Sequence, residues 1–164
     1  MSKKEIHTTV FEFTDTKNLL PKEKELVDSA IQIAGNAYAI YSDFYVGAAV
    51  LLDNGTIIKG NNQENAAYPS GLCAERVALF YANANYPDRK VVAIAISAFR
   101  NKLMLENPVP PCGSCRQALL ETALRFNNSI KVILIGKKKI QVINDCRELL
   151  PLHFDQRFIN NKTS

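Results

Sequence analysis

The sequence has 164 residues, a length that suits one compact domain and is too short for two of ordinary size. Hydrophobic residues make up 47% and charged residues 22%, which is typical of a globular protein and excludes a fibrous or disordered chain. The net charge of +4 is the balance of 20 basic and 16 acidic residues spread along the chain, so it does not indicate nucleic acid as a partner.

The N-terminal segment predicts an arm and a cytoplasmic location. Met1–Glu5 is polar, and no apolar segment with a cleavage site follows it, so we expect no secretion signal. The longest apolar runs are far shorter than the roughly 20 residues that cross a bilayer, so no membrane partner is expected. Residues 1–20 lack clear periodicity and predict an N-terminal arm, either ordered or frayed, and residues 21–164 predict a single domain.

The first regular elements are a helix and a hairpin. Apolar residues at helical spacing predict a helix over 21–39, with Pro21 in its first turn. Residues 46–52 and 56–59 resemble strands, and the Asn54-Gly55 pair between them favours a tight turn.

The remaining elements alternate between helices and strands. The patterns predict helices over 72–83, 113–126 and 145–150, and strands over 91–97, 130–135 and 140–143. This order is typical of an α/β protein in which helices cover a sheet.

Three of the four cysteines form a candidate metal site. Cys112 and Cys115 make a C-x-x-C motif at one predicted helix start, and Cys73 stands at another. A redox pair is the competing interpretation of C-x-x-C, but the third cysteine favours a metal. Three protein ligands also leave a tetrahedral zinc ion one open position, as in catalytic sites. Cys146 lies away from these helix starts, which predicts a structural thiol.

Charged residues follow the cysteines closely. Glu75 lies in the same helical turn as Cys73 and is a candidate to move protons beside a bound water. Arg76 is a candidate to bond a cysteine sulfur and offset its negative charge, and Arg116 could do the same. Each of these residues taken alone is more typical of a solvated helix face.

The motifs C-A-E at 73–75 and P-C-x-x-C at 111–115 match the zinc deaminase signature. Together with the stretches 41–49, 60–66 and 149–154, they make the chain resemble the homotetrameric type of zinc-dependent cytidine deaminase. The resemblance implies a three-layer α-β-α fold with a mixed five-stranded sheet, one Zn²⁺ per subunit, a free nucleoside as substrate and a homotetramer. Hydrolytic deamination of cytidine, and of 2'-deoxycytidine, is the implied activity of the domain over 21–164, with pyrimidine salvage as its role.

The resemblance also implies which residues contact the substrate. Asn62 and Glu64 correspond to the ribose-binding pair, and Phe44 packs by the base. Ala74, within C-A-E, also belongs to the substrate site. Tyr68 and Phe154 contribute to sites across subunit boundaries.

Three alternatives remain open at this point. A polynucleotide deaminase shares the metal chemistry but needs a basic groove and stacking aromatics. A deaminase of a related aminopyrimidine, such as a nucleoside antibiotic, is closer in sequence terms. A structural zinc domain would hold metal without releasing ammonia.

Overall fold

The computed structural model describes residues 1–159, and the last five residues of the predicted domain lie outside them. It contains three α-helices and seven strands: α1 Pro21–Ala34, α2 Ala74–Asn85, α3 Gly113–Phe126, β1 Phe11–Phe13, β2 Phe44–Leu52, β3 Ile57–Asn61, β4 Val91–Arg100, β5 Leu103–Met104, β6 Lys131–Ile135 and β7 Ile140–Ile143. Short 3-10 helices occupy Tyr68–Ser70, Cys146–Leu149 and Gln156–Phe158.

All seven strands join one mixed sheet. Its order is β1-β7-β6-β4-β2-β3, and β5 pairs with the end of β4. β4 and β6 run parallel, whereas the other pairs are antiparallel. The predicted mixed sheet is confirmed, with five main strands and two short additions, β1 and β5. The additions have two or three residues each, too few to show a periodic pattern in the sequence.

The sheet is covered on both faces, which confirms the three-layer architecture. α1 packs on one face, where Leu26 and Val27 join a buried cluster with alternate residues of the central strands. α2 and α3 pack on the other face through Leu79 and Leu119, which are fully buried. Because successive strand residues point to opposite faces, each central strand contributes to both clusters.

Two predicted helices are shorter than expected. α1 ends at Ala34 and not at Ala39, because Gly35, a poor helix former, follows it. Further along, the backbone of Tyr38 forms a β-bridge with Gln63. The segment predicted as a helix over 145–150 forms only a 3-10 turn, capped by the side chain of Asp145. A segment of this length just before Pro151 is too short to sustain an α-helix.

The predicted arm is partly built into the sheet. Within it, β1 lies along the edge strand β7, with Phe11 opposite Val142. The backbone N–H of Thr9 donates to the carboxylate of Glu148 at 2.8 Å. Pairing with β1 covers an edge of β7 that would otherwise present unpaired backbone groups. The division into an arm and a single domain stays a prediction.

No helix among residues 1–159 is long and apolar enough to cross a membrane.

A glycine lets α2 approach the sheet closely. A Cβ atom at Gly60 in β3 would lie 2.5 Å from the backbone nitrogen of Ala78 and 2.7 Å from the carbonyl oxygen of Ala74. Both atoms belong to the backbone of α2, so a side chain at Gly60 could be accommodated only by moving the helix. The absence of a side chain at this position therefore sets the depth at which the predicted site helix sits.

We predict that Gly60→Ala lowers the free energy of unfolding by about 3 kcal/mol, because the added methyl group overpacks a backbone contact. Urea denaturation of the two proteins measures this difference. Gly35→Ala is the matched control, since its Cβ meets nothing nearer than 3.6 Å and its backbone is already helical. Equal stability of the two variants would contradict the proposed role of Gly60.

Candidate metal centre and active site

The sulfur atoms of Cys73, Cys112 and Cys115 lie together, within 4.8 Å of one another. The Cys73 and Cys112 sulfurs are 3.8 Å apart, and those of Cys112 and Cys115 are 3.5 Å apart. Cys115 is buried, Cys73 is half-buried and Cys112 is exposed, so the cluster opens toward the surface on one side. Among residues 1–159, this is the one group of three or more side chains with the spacing of a metal site.

The start of each site helix positions the cysteines. Cys73 is the residue just before α2, and Cys112 is the residue just before α3. Cys115 follows in the first turn of α3, one helical turn from Cys112 and on the same side. Because two helix N-termini meet here, their partial positive charges stabilise thiolates at the cluster.

The spacing of the sulfurs fits a zinc ion. Two ligands of a tetrahedral zinc, each at about 2.3 Å, lie about 3.8 Å apart. The measured separations of 3.8 and 3.5 Å are close to this value. Thiolates are also the ligands that zinc prefers, and three of them leave the fourth position of a tetrahedron free.

Arg76 lies beside the sulfur cluster, where its positive charge is attracted to negative charge on the sulfurs. Its Nη2 lies 3.7 Å from the Cys73 sulfur. A hydrogen bond with Cys115, together with a second one from the guanidinium of Arg76, lowers the pKa of Cys73 to about 5. The same hydrogen bond and burial raise the pKa of Cys115, because the first charge disfavours a second nearby. Of the two thiols, Cys73 is therefore the one whose thiolate form is favoured.

Glu75 is a buried carboxyl group beside the sulfurs. Only 5% of the residue is exposed, and it lies in the first turn of α2. Burial raises its pKa, because a carboxylate loses solvation there. A raised pKa brings a carboxyl group closer to the range in which it both accepts and releases protons, which suits general acid and base chemistry.

A cleft leads from the surface to the sulfurs. It has a volume of about 490 Å³ and combines the carboxyl group, two of the sulfurs and apolar walls. Its lining includes Phe44, Asn62, Glu64, Cys73, Ala74, Glu75 and Cys112, together with Ser42, Ile96, Arg100, Val109 and Pro110. The structure thus brings together in one cleft four of the six predicted substrate residues, the predicted proton carrier and two of the predicted metal ligands.

The segment that carries Asn62 and Glu64 is held between two stretches of backbone. The N–H of Gln63 donates to the carbonyl of Leu72, and the N–H of Leu72 donates back, both at 2.9 Å. On the other side, the N–H of Glu64 donates to the carbonyl of Tyr38 at 2.9 Å. These pairings fix the segment directly beside Cys73.

Both polar side chains of this segment are oriented by backbone groups. The Asn62 Oδ1 accepts from the N–H of Val46 at 2.7 Å, and its Nδ2 donates to the carbonyl of Phe44 at 2.9 Å. The Glu64 carboxylate accepts from the N–H of Tyr41 at 2.9 Å and from the hydroxyl of Ser42. Hydrogen bonding to Ser42 lowers the pKa of Glu64, so the group is ionised at neutral pH.

The two predicted cross-subunit aromatics are strongly exposed. Tyr68 is 78% exposed, lies edge-on to Tyr41 and lines a cavity of about 470 Å³ next to the cleft. Phe154 is 60% exposed and stacks on Phe158. Of the residues described, 1–159, those that line the cleft do not include Phe154.

Arg116 makes contacts of a different kind from the sulfur contact that the sequence suggested. Its Nε donates to the carbonyl of Pro111 at 2.8 Å, and its Nη1 donates to the carbonyl of Leu149 at 2.9 Å. It therefore fastens the loop just before Cys112 to the 3-10 helix that ends at Leu149.

Cys146 is separate from the sulfur cluster. It is fully buried, and burial raises its pKa to about 12. Its backbone N–H donates to the carbonyl of Ile130 at 2.8 Å, so the residue packs as part of the core.

Two polar residues of the cleft, Ser42 and Arg100, have no role predicted from the sequence. Ser42 orients Glu64 through its hydroxyl, and Arg100 is part of the cleft lining. Ser42 lies in a predicted loop, and Arg100 lies three residues beyond the predicted end of its strand. A single serine or arginine in such a position carries no periodic or motif signal.

The chain matches known deaminases over most of its length. A family model described as "Cytidine and deoxycytidylate deaminase zinc-binding region" matches residues 20–127. A cytidine deaminase of Halalkalibacterium halodurans is 49% identical over 96 residues, which cover 58% of this chain and 68% of that protein. A cytidine deaminase of Sporosarcina psychrophila is 38% identical over 133 residues, which cover 81% of this chain and 91% of that protein.

Solved structures give the same likeness. The crystal structure of a cytidine deaminase from Burkholderia pseudomallei superimposes with a TM-score of 0.69 at 35% identity, covering 80% of this chain and 98% of that one. A cytidine deaminase from Mycobacterium tuberculosis superimposes with a TM-score of 0.64 at 31% identity, covering 81% of this chain and 97% of that one.

Proposed function

Because the chain belongs to the cytidine and deoxycytidylate deaminase family, we propose that it removes the exocyclic amino group of free cytidine by hydrolysis, giving uridine and ammonia. 2'-Deoxycytidine is a second substrate, and the role is pyrimidine salvage. The observation that carries this proposal is the buried carboxyl group of Glu75 beside three convergent cysteine sulfurs, two of which line the same cleft.

Cys73, Cys112 and Cys115 hold one zinc ion per chain. When bound, zinc acts as a Lewis acid that lowers the pKa of a water molecule to near neutrality. The guanidinium of Arg76, 3.7 Å from the Cys73 sulfur, offsets the excess negative charge of three thiolates on a dication.

Glu75 moves both protons of the reaction. Its carboxylate takes a proton from the attacking water and delivers it to ring N3, while the water oxygen bonds to C4. The same carboxylate then takes the remaining proton from the C4 hydroxyl and passes it to the amino group, so that C4=O forms as the C4–N bond breaks and ammonia leaves. The raised pKa of Glu75 supports this shuttle, because a proton carrier must gain and lose a proton with little free-energy change.

The other predicted residues bind the nucleoside. Asn62 and Glu64 bind the ribose hydroxyls, since an amide and a carboxylate two residues apart on extended backbone point to the same side. Each keeps unused lone pairs or an N–H beyond its backbone contacts. Phe44 and Ala74 form the apolar part of the wall that packs by the base. Arg116 supports the metal loop through the carbonyl of Pro111.

Replacing Glu75 by Gln is expected to lower kcat about 10²- to 10⁴-fold, because the amide cannot accept the water proton. Zinc content should stay at one per chain, since Glu75 is not a ligand. Uridine formation and metal analysis on the same preparations measure both. Glu121→Gln, on the exposed side of α3, is the control. A near-normal rate for Glu75→Gln would remove this residue from the mechanism.

We further propose a cytoplasmic homotetramer in which neighbouring chains complete each site. Tyr68 and Phe154 support this arrangement, because both large aromatic side chains are more than half exposed in the single chain. An aromatic ring left in solvent loses the gain of burial, so a second copy that covers it stabilises both. Phe154 would then pack against the base bound in a neighbouring chain.

Mixing two inactive variants tests this sharing. Phe154→Ala and Glu75→Gln each lose activity alone, but dissociating and reassembling them together should restore part of it. A restored site would combine Glu75 from a Phe154→Ala chain with Phe154 from a Glu75→Gln chain. Reassembly of Phe154→Ala with the double variant Glu75→Gln/Phe154→Ala is the control. No gain over the separate variants would show that Phe154 does not act across a boundary.

A further inference from the structure

The hairpin that joins β4 to β5 contacts the corner where β2 begins. In the β2–β4 ladder, Phe44 stands opposite Arg100. The guanidinium carbon of Arg100 lies 5.5 Å from the centre of the Phe44 ring. This distance is within the range in which a cation is attracted to the face of an aromatic ring.

A second contact ties the same hairpin to the same corner. The backbone N–H of Asn101 donates to Asp43 Oδ2 at 3.1 Å. Asp43, Asn101 and Lys102 all have φ between 50° and 60°, so both the corner and the hairpin are tight turns. Arg100 and Asn101 of the hairpin therefore contact Phe44 and Asp43, respectively, at the start of β2.

Two hydrogen bonds hold the backbone of Phe44. Its carbonyl accepts from Asn62 Nδ2 at 2.9 Å, and its N–H donates to the hydroxyl of Ser42 at 3.1 Å. The ring itself is half-buried and forms part of the cleft wall. Arg100 is the charged group in contact with that ring among residues 1–159.

Arg100 has no competing carboxylate partner within residues 1–159, since no ion pair forms there between it and an acidic side chain. Its side chain lines the cleft together with Phe44. Among residues 1–159, the contact with the Phe44 ring is therefore the interaction available to orient the guanidinium.

We propose that Arg100 is a positioning residue that fixes the Phe44 ring against the nucleoside. The inference rests on the proposed function, in which Phe44 packs by the base. A ring held in one orientation is ready to pack on the substrate, so the loss of side-chain freedom on binding is smaller. Arg100 thus acts on substrate binding and leaves the proton transfers of Glu75 unchanged.

The test compares steady-state kinetics on cytidine for the full-length zinc-loaded protein and four variants: Arg100→Gln, Arg100→Lys, Phe44→Leu and the double variant Arg100→Gln/Phe44→Leu. Arg100→Gln should raise KM about threefold to tenfold with kcat within twofold, the range expected for loss of a cation–aromatic contact. Arg100→Lys, which keeps a cation over the ring, should bring KM back to within about twofold of the unmodified protein.

The double variant isolates the contact. If Arg100 acts through the ring, Arg100→Gln should change KM by less than about 1.5-fold in the Phe44→Leu background, because the partner is already absent. Lys102→Gln removes the same charge from the same hairpin without touching the ring, and its KM should be unchanged. Zinc content and thermal melting of each variant check that fold and metal are retained.

Three results would overturn the inference: an unchanged KM in Arg100→Gln, an equal rise of KM in both Phe44 backgrounds, or a fall in kcat in place of a rise in KM. Absence of cytidine turnover by the unmodified protein is a different failure. It would overturn the proposed function first, and the role of Arg100 with it.

Discussion

The site depends on one packing constraint, which is that the N-termini of α2 and α3 must meet on the same face of the sheet. Gly60 allows α2 to lie directly on β3, and Arg116 ties the loop before α3 to Leu149. With both helix starts fixed, sulfurs that are 39 positions apart in the chain come within 3.8 Å of each other. The metal site is therefore a product of tertiary packing and not of a local loop.

The local environment shifts the pKa values of Cys73 and Glu75 in opposite directions. A hydrogen bond with Cys115 and the nearby guanidinium of Arg76 lower the pKa of Cys73, which favours its thiolate form. Glu75, two positions along the chain, faces the interior, and burial raises its pKa. The start of α2 thus supplies both a thiol with a lowered pKa as a metal ligand and a carboxyl group with a raised pKa for proton exchange.

Much of this site could be predicted from the sequence, because short-range motifs carry it. Cys73 to Glu75 and Pro111 to Cys115 lie at helix starts, and α3 was predicted with the observed bounds. The strand β1 was not predicted, because its pairing with β7 depends on residues about 130 positions away. The bonds of Arg116 to backbone carbonyls and the contact of Arg100 with Phe44 also depend on long-range packing, which no local pattern encodes.

X-ray absorption at the zinc edge of the purified protein tests the central claim most directly. We expect one zinc per chain with three sulfur neighbours at about 2.3 Å and one lighter neighbour at about 2.0 Å. That result would mean that the three cysteines hold the ion and leave one position for solvent. Four sulfur neighbours, or protein without zinc that still forms uridine, would contradict the account.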